Sequence, residues 1–202
     1  MKTLKEFPDI GTLKRRMQSL SMLDALLFPE WEYRYFSFNK DWSAGEAMGS
    51  IRNGSGDDVF VLFSNVGCFI KEFYHERPVS HGAYICVPPV FREATREPAS
   101  SPEYVTACYW RTCQSNRWEM SGNEGKFDPE TSFLLAALDG NLKTYTAFLE
   151  ARSEKVLPSD LVAKIFKHHT LTASIADGLG YSGSRKDLKN EADEIGCPSS
   201  LL

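Results

Sequence analysis

The sequence predicts an α+β fold: an antiparallel β-meander sheet with an N-terminal helix before it and a C-terminal group of helices after it. Three observations carry this prediction. Apolar residues recur at spacings of three and four over residues 9–27. Strand-like runs with glycine-containing breaks fill residues 31–75. From Asp128-Pro129-Glu130 onward the pattern becomes helical, with Asp128 as N-cap and Pro129 at the first helical position. The expected organisation is one α+β unit over residues 1–202. Residues 1–126 supply the helix and sheet, 127–196 a helical part packed on it, and 197–202 a frayed tail.

In the first helix Leu13, Met17, Leu20, Leu23 and Leu27 form the apolar stripe, and Pro29 ends it. Glu30 to Phe38 reads as a strand whose alternation places Trp31, Tyr33 and Tyr35 on one face and Phe36 and Phe38 on the other. Glu46–Arg52, Val59–Phe63 and Cys68–Tyr74 continue the meander. Asn53-Gly54 predicts a tight hairpin, because both residues tolerate positive φ. Prolines punctuate residues 76–103, with a short helix expected over Val90–Glu97, and strands resume at Tyr104–Thr112 and Arg117–Met120. Later helices are expected over Leu142–Arg152, from Pro158-Ser159-Asp160 to His168-His169, over Leu171–Leu179 and over Arg185–Ile195. A cationic His168 or His169 would suit the negative end of the helix dipole.

Composition narrows the classes of function. The chain carries a net charge of −4 and its residues are 42% hydrophobic and 12% aromatic. That acidic balance argues against nucleic-acid binding, which needs a basic footprint, and suits a basic protein partner. Lys5, Glu6, Asp9 and Lys14-Arg15-Arg16 interrupt any apolar leader, and no apolar run is long enough for a membrane span. The expected location is cytoplasmic, away from the membrane. The five cysteines are scattered without two close pairs, so neither a zinc site nor any other metal or cofactor is expected.

Several constellations invite chemistry without completing it. His75 and Glu76 lack the second histidine of a metalloprotease helix, because position 79 is Val79. His75 and His81, with Glu72 or Glu76, could meet across a loop as an acid–base site. Asp57 and Asp58 are adjacent and so point to opposite strand faces, which does not suit calcium. Cys68 and Cys108 sit among apolar neighbours that oppose thiolate formation. Residues 161–189 have a helix-turn-helix outline, but Thr172–Leu179 carries no base-reading side chain. The aromatics are the remaining signal. Trp31, Tyr33, Tyr35, Trp42, Trp110 and Trp118 are the candidate partner-binding residues, since exposed Trp and Tyr dominate binding hot spots.

The blocks Trp31-Glu32-Tyr33-Arg34-Tyr35-Phe36-Ser37-Phe38 and Met48-Gly49-Ser50-Ile51-Arg52-Asn53-Gly54-Ser55-Gly56-Asp57-Asp58 resemble a family of uncharacterised bacterial cytosolic proteins. That family has a W-E-Y-R-Y-x-S-F block and an R-x-G-S-G-D hairpin. The resemblance covers roughly residues 20–76 and assigns no catalytic residue. In general build the chain is also similar to immunity proteins that neutralise bacterial toxins. The expectation is a bacterial, non-enzymatic protein-binding protein, with toxin neutralisation as one form of that role. The alternatives are a small hydrolase or transferase using residues 72–81 and a DNA-associated regulatory module.

Overall fold

The computed structural model describes residues 7–122 and 133–201. Helix α1 spans Ile10–Leu27 and opens where expected: the Asp9 carboxylate accepts hydrogen bonds from the Thr12 amide at 2.9 Å and the Thr12 hydroxyl at 2.7 Å. These bonds hold the Asp9 carboxyl below its ordinary pKa. From Met17 to Leu27 every residue of α1 is buried, polar ones included. A helix buried all round must be enclosed by other elements. Here the sheet lies on one side and the later helices on the other.

Six strands form an antiparallel sheet in chain order. They are β1 (Phe36–Ser43), β2 (Glu46–Arg52), β3 (Asp58–Phe63), β4 (Gly67–Phe73), β5 (Ala107–Thr112) and β6 (Glu119–Gly122). The registers Phe38↔Gly49, Gly49↔Val61, Val61↔Ile70 and Ile70↔Tyr109 line up the side facing α1. Phe36, Ile51, Val61, Ile70 and Tyr109 bury themselves there. The opposite side carries Met48, Leu62, Phe69, Cys108 and Trp110 in a second, smaller core. The long connection from β4 to β5 covers it with Ala83, Phe91, Ala94 and Val105. That connection contains three short 3-10 turns, Pro89–Phe91, Ala94–Arg96 and Pro98–Ser100, in place of the expected short helix.

After the sheet come α2 (Phe133–Ala136), α3 (Leu142–Ser153), α4 (Ser159–Phe166), α5 (Ala173–Gly178) and α6 (Arg185–Ile195). The expected helix start at Asp128-Pro129 lies outside the described residues. Leu149, Val162, Ile165, Leu188, Ala192 and Ile195 join the α1 core. Gln18 of α1 donates to the Ile195 carbonyl at 2.9 Å, satisfying the C-terminal end of α6. No described helix is long and apolar enough to cross a membrane.

Three expectations are corrected. Residues Trp31–Tyr33 form a 3-10 turn, and the strand begins only at Phe36. The Asn53-Gly54 connection is a five-residue loop, since Arg52 pairs with Asp58. Its Gly54 and Gly56 have positive φ, while the Asn53 side chain accepts from the Ser55 and Asp57 amides. A two-residue turn occurs instead at Ala44-Gly45. The C-terminal segment is not frayed through residue 201. Strand β8 (Ser199–Ser200) pairs in parallel with β7 (Leu171–Thr172), and Cys197 and Leu201 are buried.

Candidate functional site

The segment between α1 and β1 reaches the surface with Trp31 and Tyr33 outward because two largely covered arginine side chains tie down its backbone. Arg34 donates to the Phe28 carbonyl at 2.9 Å, to the Pro29 carbonyl at 2.8 Å and to Glu191 of α6 at 2.7 Å. Arg152 of α3 donates to the Tyr33 carbonyl at 2.6 Å and to both oxygens of Asp24 at 3.1 and 3.2 Å. Its guanidinium also lies 3.8 Å from the centre of the Tyr35 ring and 4.2 Å from that of Phe28. Asp24 in turn accepts from the backbone amides of Tyr35 and Phe36 at 2.6 and 3.0 Å. One fully buried carboxylate thus holds the start of β1 and the guanidinium beneath it. Burial pushes the Asp24 carboxyl above its ordinary pKa, although Arg152 and the two amides pull the other way.

With its backbone fixed, this turn leaves Trp31 57% and Tyr33 59% exposed. The Arg52 guanidinium, from the end of β2, lies 4.3 Å from the centre of the Trp31 ring. The stacked pair borders two clefts. One, of about 630 Å³, is lined by Phe28, Trp31, Tyr33, Tyr35 and Arg52 together with Glu32, Arg34, Gly54 and Arg152. The other, of about 300 Å³, runs over β1 and β2, with Trp31 and Trp42 at its sides and Ser37, Met48 and Ser50 among its lining residues. Trp42 donates from its indole nitrogen to Glu97 at 3.3 Å, where the β4–β5 connection comes closest to β1.

The structure therefore brings together four of the six aromatics singled out from the sequence: Trp31, Tyr33, Tyr35 and Trp42. Trp110 and Trp118 are corrected to core positions, 3% and 7% exposed. Trp110 packs in the core beneath the β4–β5 connection, and Trp118 lies on the α1 side and donates to the Pro8 carbonyl at 2.8 Å. Sequence reasoning missed Arg34, Arg52 and Arg152. Arg34 lies inside the aromatic block, and that position was the available signal. Nothing local marked Arg152, whose hydrogen-bond partners are more than a hundred residues away.

The other candidate chemistries are placed as follows. The His75 Nδ1 lies 2.8 Å from Asp57, which also accepts from the His75 amide at 2.9 Å and the Asn53 side chain at 2.7 Å. Burial pushes the Asp57 carboxyl up, but these hydrogen bonds outweigh it and hold the carboxyl below its ordinary pKa. Glu76 and His81 are exposed. Asp58 diverges from Asp57 and pairs with the buried Lys71 at 2.7 Å. Burial pushes the thiols of Cys68 and Cys108 up, Cys108 to about 12, which opposes nucleophilic use. His168 departs from the cationic expectation: burial, then Arg15, pushes its imidazole below the ordinary value, and its Nδ1 lies 3.3 Å from the Ser19 hydroxyl. In the helix-turn-helix outline Arg185 contacts Asp177 and Lys189 pairs with Asp193 at 2.9 Å, so these cations are held by neighbouring acids. Among the described residues no three His, Cys, Asp or Glu side chains are grouped to hold a metal ion. Comparison of the chain with protein-family models, with curated proteins and with solved structures finds no match.

Proposed function

We propose that this chain is a protein-binding protein whose docking surface is the pair of clefts around the Trp31–Arg52 stack. The observation that carries the reading is the gathering of exposed Trp31 and Tyr33, on a turn that the Arg152–Asp24 ion pair helps hold in place, with Trp42 of β1 and Arg52 of β2. Large, rigid aromatics and arginine are the side chains that dominate protein hot spots. A surface fixed in advance loses little conformational entropy on binding. The net charge of −4 favours a partner that is basic overall, drawn in at long range. Neutralising a bacterial toxin in the cytoplasm is one role that such a surface would serve.

The test is capture from an extract of the source organism at low salt. The native chain should recover one dominant protein, and so should a Val156→Ala control at a 93% exposed position away from both clefts. The combined Trp31→Ala and Tyr33→Ala variant should lose it. Retention by that variant, or recovery of nucleic acid alone, would reject the reading.

The hydrogen-bonded Asp57–His75 pair supports a second reading, a small hydrolase or transferase. Turnover of a small molecule that His75→Ala abolishes would favour it over binding.

A further inference from the structure

We infer that the Arg52 guanidinium is the anchor for a carboxylate side chain of the partner, set beside an apolar residue that packs on Trp31. This rests on the protein-binding reading above and specifies what the cleft takes. Three arginines and one glutamate line the larger cleft. Two of the arginines already have structural work. Arg34 makes three hydrogen bonds within the chain, and Arg152 is held by Asp24 and the Tyr33 carbonyl. Arg52 differs from both. Among the described residues its guanidinium makes no hydrogen bond or ion pair; it lies over the face of Trp31, and Asp58 acts on it electrostatically without bonding to it. The cross-strand acid Asp58 is bonded to Lys71.

A guanidinium presents five N–H donors in a planar fork that matches a carboxylate in two parallel bonds. Contact with the Trp31 ring restrains that fork, and the indole and the Tyr33 side chain line the same cleft and offer apolar surface beside it. Arg52 is also half-buried, and burial, only partly opposed by Asp58, pushes its pKa below the ordinary value. A half-desolvated cation without a bonded counter-charge gains more from an incoming carboxylate than an exposed one does. The overall acidity of the chain does not oppose this. Net charge governs approach over distances near the Debye length, about 8 Å at physiological salt, whereas the anchor acts in contact.

Side-chain nitrogen NMR of the native chain tests the inference with three probes: acetyl-Leu-Asp-Leu-amide, acetyl-Leu-Asn-Leu-amide and inorganic phosphate. The aspartyl peptide should shift the Arg52 Nε–H and Trp31 indole signals saturably. It should bind about tenfold or more tightly than the asparaginyl peptide, the ratio expected for one charge-assisted bond. At the Trp31 indole, Arg52→Lys should keep part of the response and Arg52→Gln should remove it. Because the peptide comparison uses the native chain, a variant that fails to fold does not decide the outcome. Equal response to both peptides, saturation by phosphate without response to the aspartyl peptide, or no shift of Arg52 would overturn the anchor. The two readings also fail separately. A captured partner lost with Trp31→Ala but held normally by Arg52→Gln defeats the anchor alone. An aspartyl response at Arg52, with partner capture unaffected by Trp31 and Tyr33 changes, defeats the docking surface alone.

Discussion

The two faces of the sheet are covered in different ways, and the difference places the candidate site. On the α1 side, burial is complete from one strand to the next: Phe36, Ile51, Val61, Ile70 and Tyr109 are all at most 1% exposed. The opposite side is roofed by the connection between β4 and β5, which covers those strands and β3, reaches Met48 on β2 and meets β1 where Glu97 accepts from Trp42. Phe69 and Trp110 are 3% exposed beneath it, whereas Ser37 and Asn39 on β1 and Arg52 on β2 remain half-open. A cover that leaves from β4 and returns to β5 reaches β1 last. The surface available to a partner is where that cover ends.

The largest expected effect lies on the closed face. Asp24→Ala removes the carboxylate shared by Arg152 and two β1 amides, leaving a guanidinium and backbone donors buried without it. Urea unfolding should show a loss of about 3–5 kcal/mol. A loss below about 1 kcal/mol would show that this clamp does not hold the start of β1.

A smaller loss is expected on the roofed face. Lys71 is 1% exposed, donates to Asp58 and to the Ser100 carbonyl, and lies 5.6 Å from the centres of the Phe60 and Phe73 rings. Lys71→Met keeps the apolar stem but removes both bonds, while Asp58 retains some access to water. The expected cost is about 1–3 kcal/mol. A cost equal to that of Asp24→Ala would contradict the difference between the two covers.

The loop joining β2 to β3 should respond less still. Gly54 has φ of 74°, and a Cβ there meets nothing within 4 Å, so the cost of Gly54→Val is backbone strain alone. The expected loss is about 1–2 kcal/mol.

Two carboxylates give a pH test with opposite signs. Asp57 has a lowered folded-state pKa, so its stabilising contribution is present above 3.8 and is lost as pH falls through the folded value. Asp57→Asn should remove that acid-side loss. Asp24 has a raised folded-state pKa, so the folded chain binds more protons than the unfolded one above 3.8, and its contribution declines as pH rises through that window. Urea unfolding across pH 3 to 7, with Asp57→Asn and Asp24→Asn each compared with the native chain, reads each slope as the difference its substitution makes.

Much of this contrast was legible in the sequence, and the failures have physical causes. Leu13, Met17 and Leu20 announced α1 through their spacing, though not its Asp9 cap, and the runs from Val59 to Phe73 announced strands. Trp31 to Tyr35 imitated a strand because alternating aromatics satisfy a period of two, yet bonds from Arg34 and Arg152 to nearby carbonyls hold a 3-10 turn. Asn53-Gly54 suggested a two-residue turn because the Asn53 side-chain bonds that widen the loop leave no periodic trace. Ser199 and Ser200 lack a strand pattern and gain order only by pairing with Leu171 and Thr172. Four aromatics of the site were visible by type, but their convergence depended on Asp24, Arg34 and Arg152, which sequence spacing does not bring together.

The most direct measurement of the central claim is the dissociation rate of the captured partner, purified, from the native chain and from Trp31→Ala. Because Trp31 is an exposed residue on a turn held by other groups, its removal should change folding stability by no more than about 0.5 kcal/mol. Dissociation should be faster by about 30-fold, as for a hot-spot residue, with the association rate nearly unchanged. An unchanged dissociation rate in a stably folded Trp31→Ala variant would contradict it.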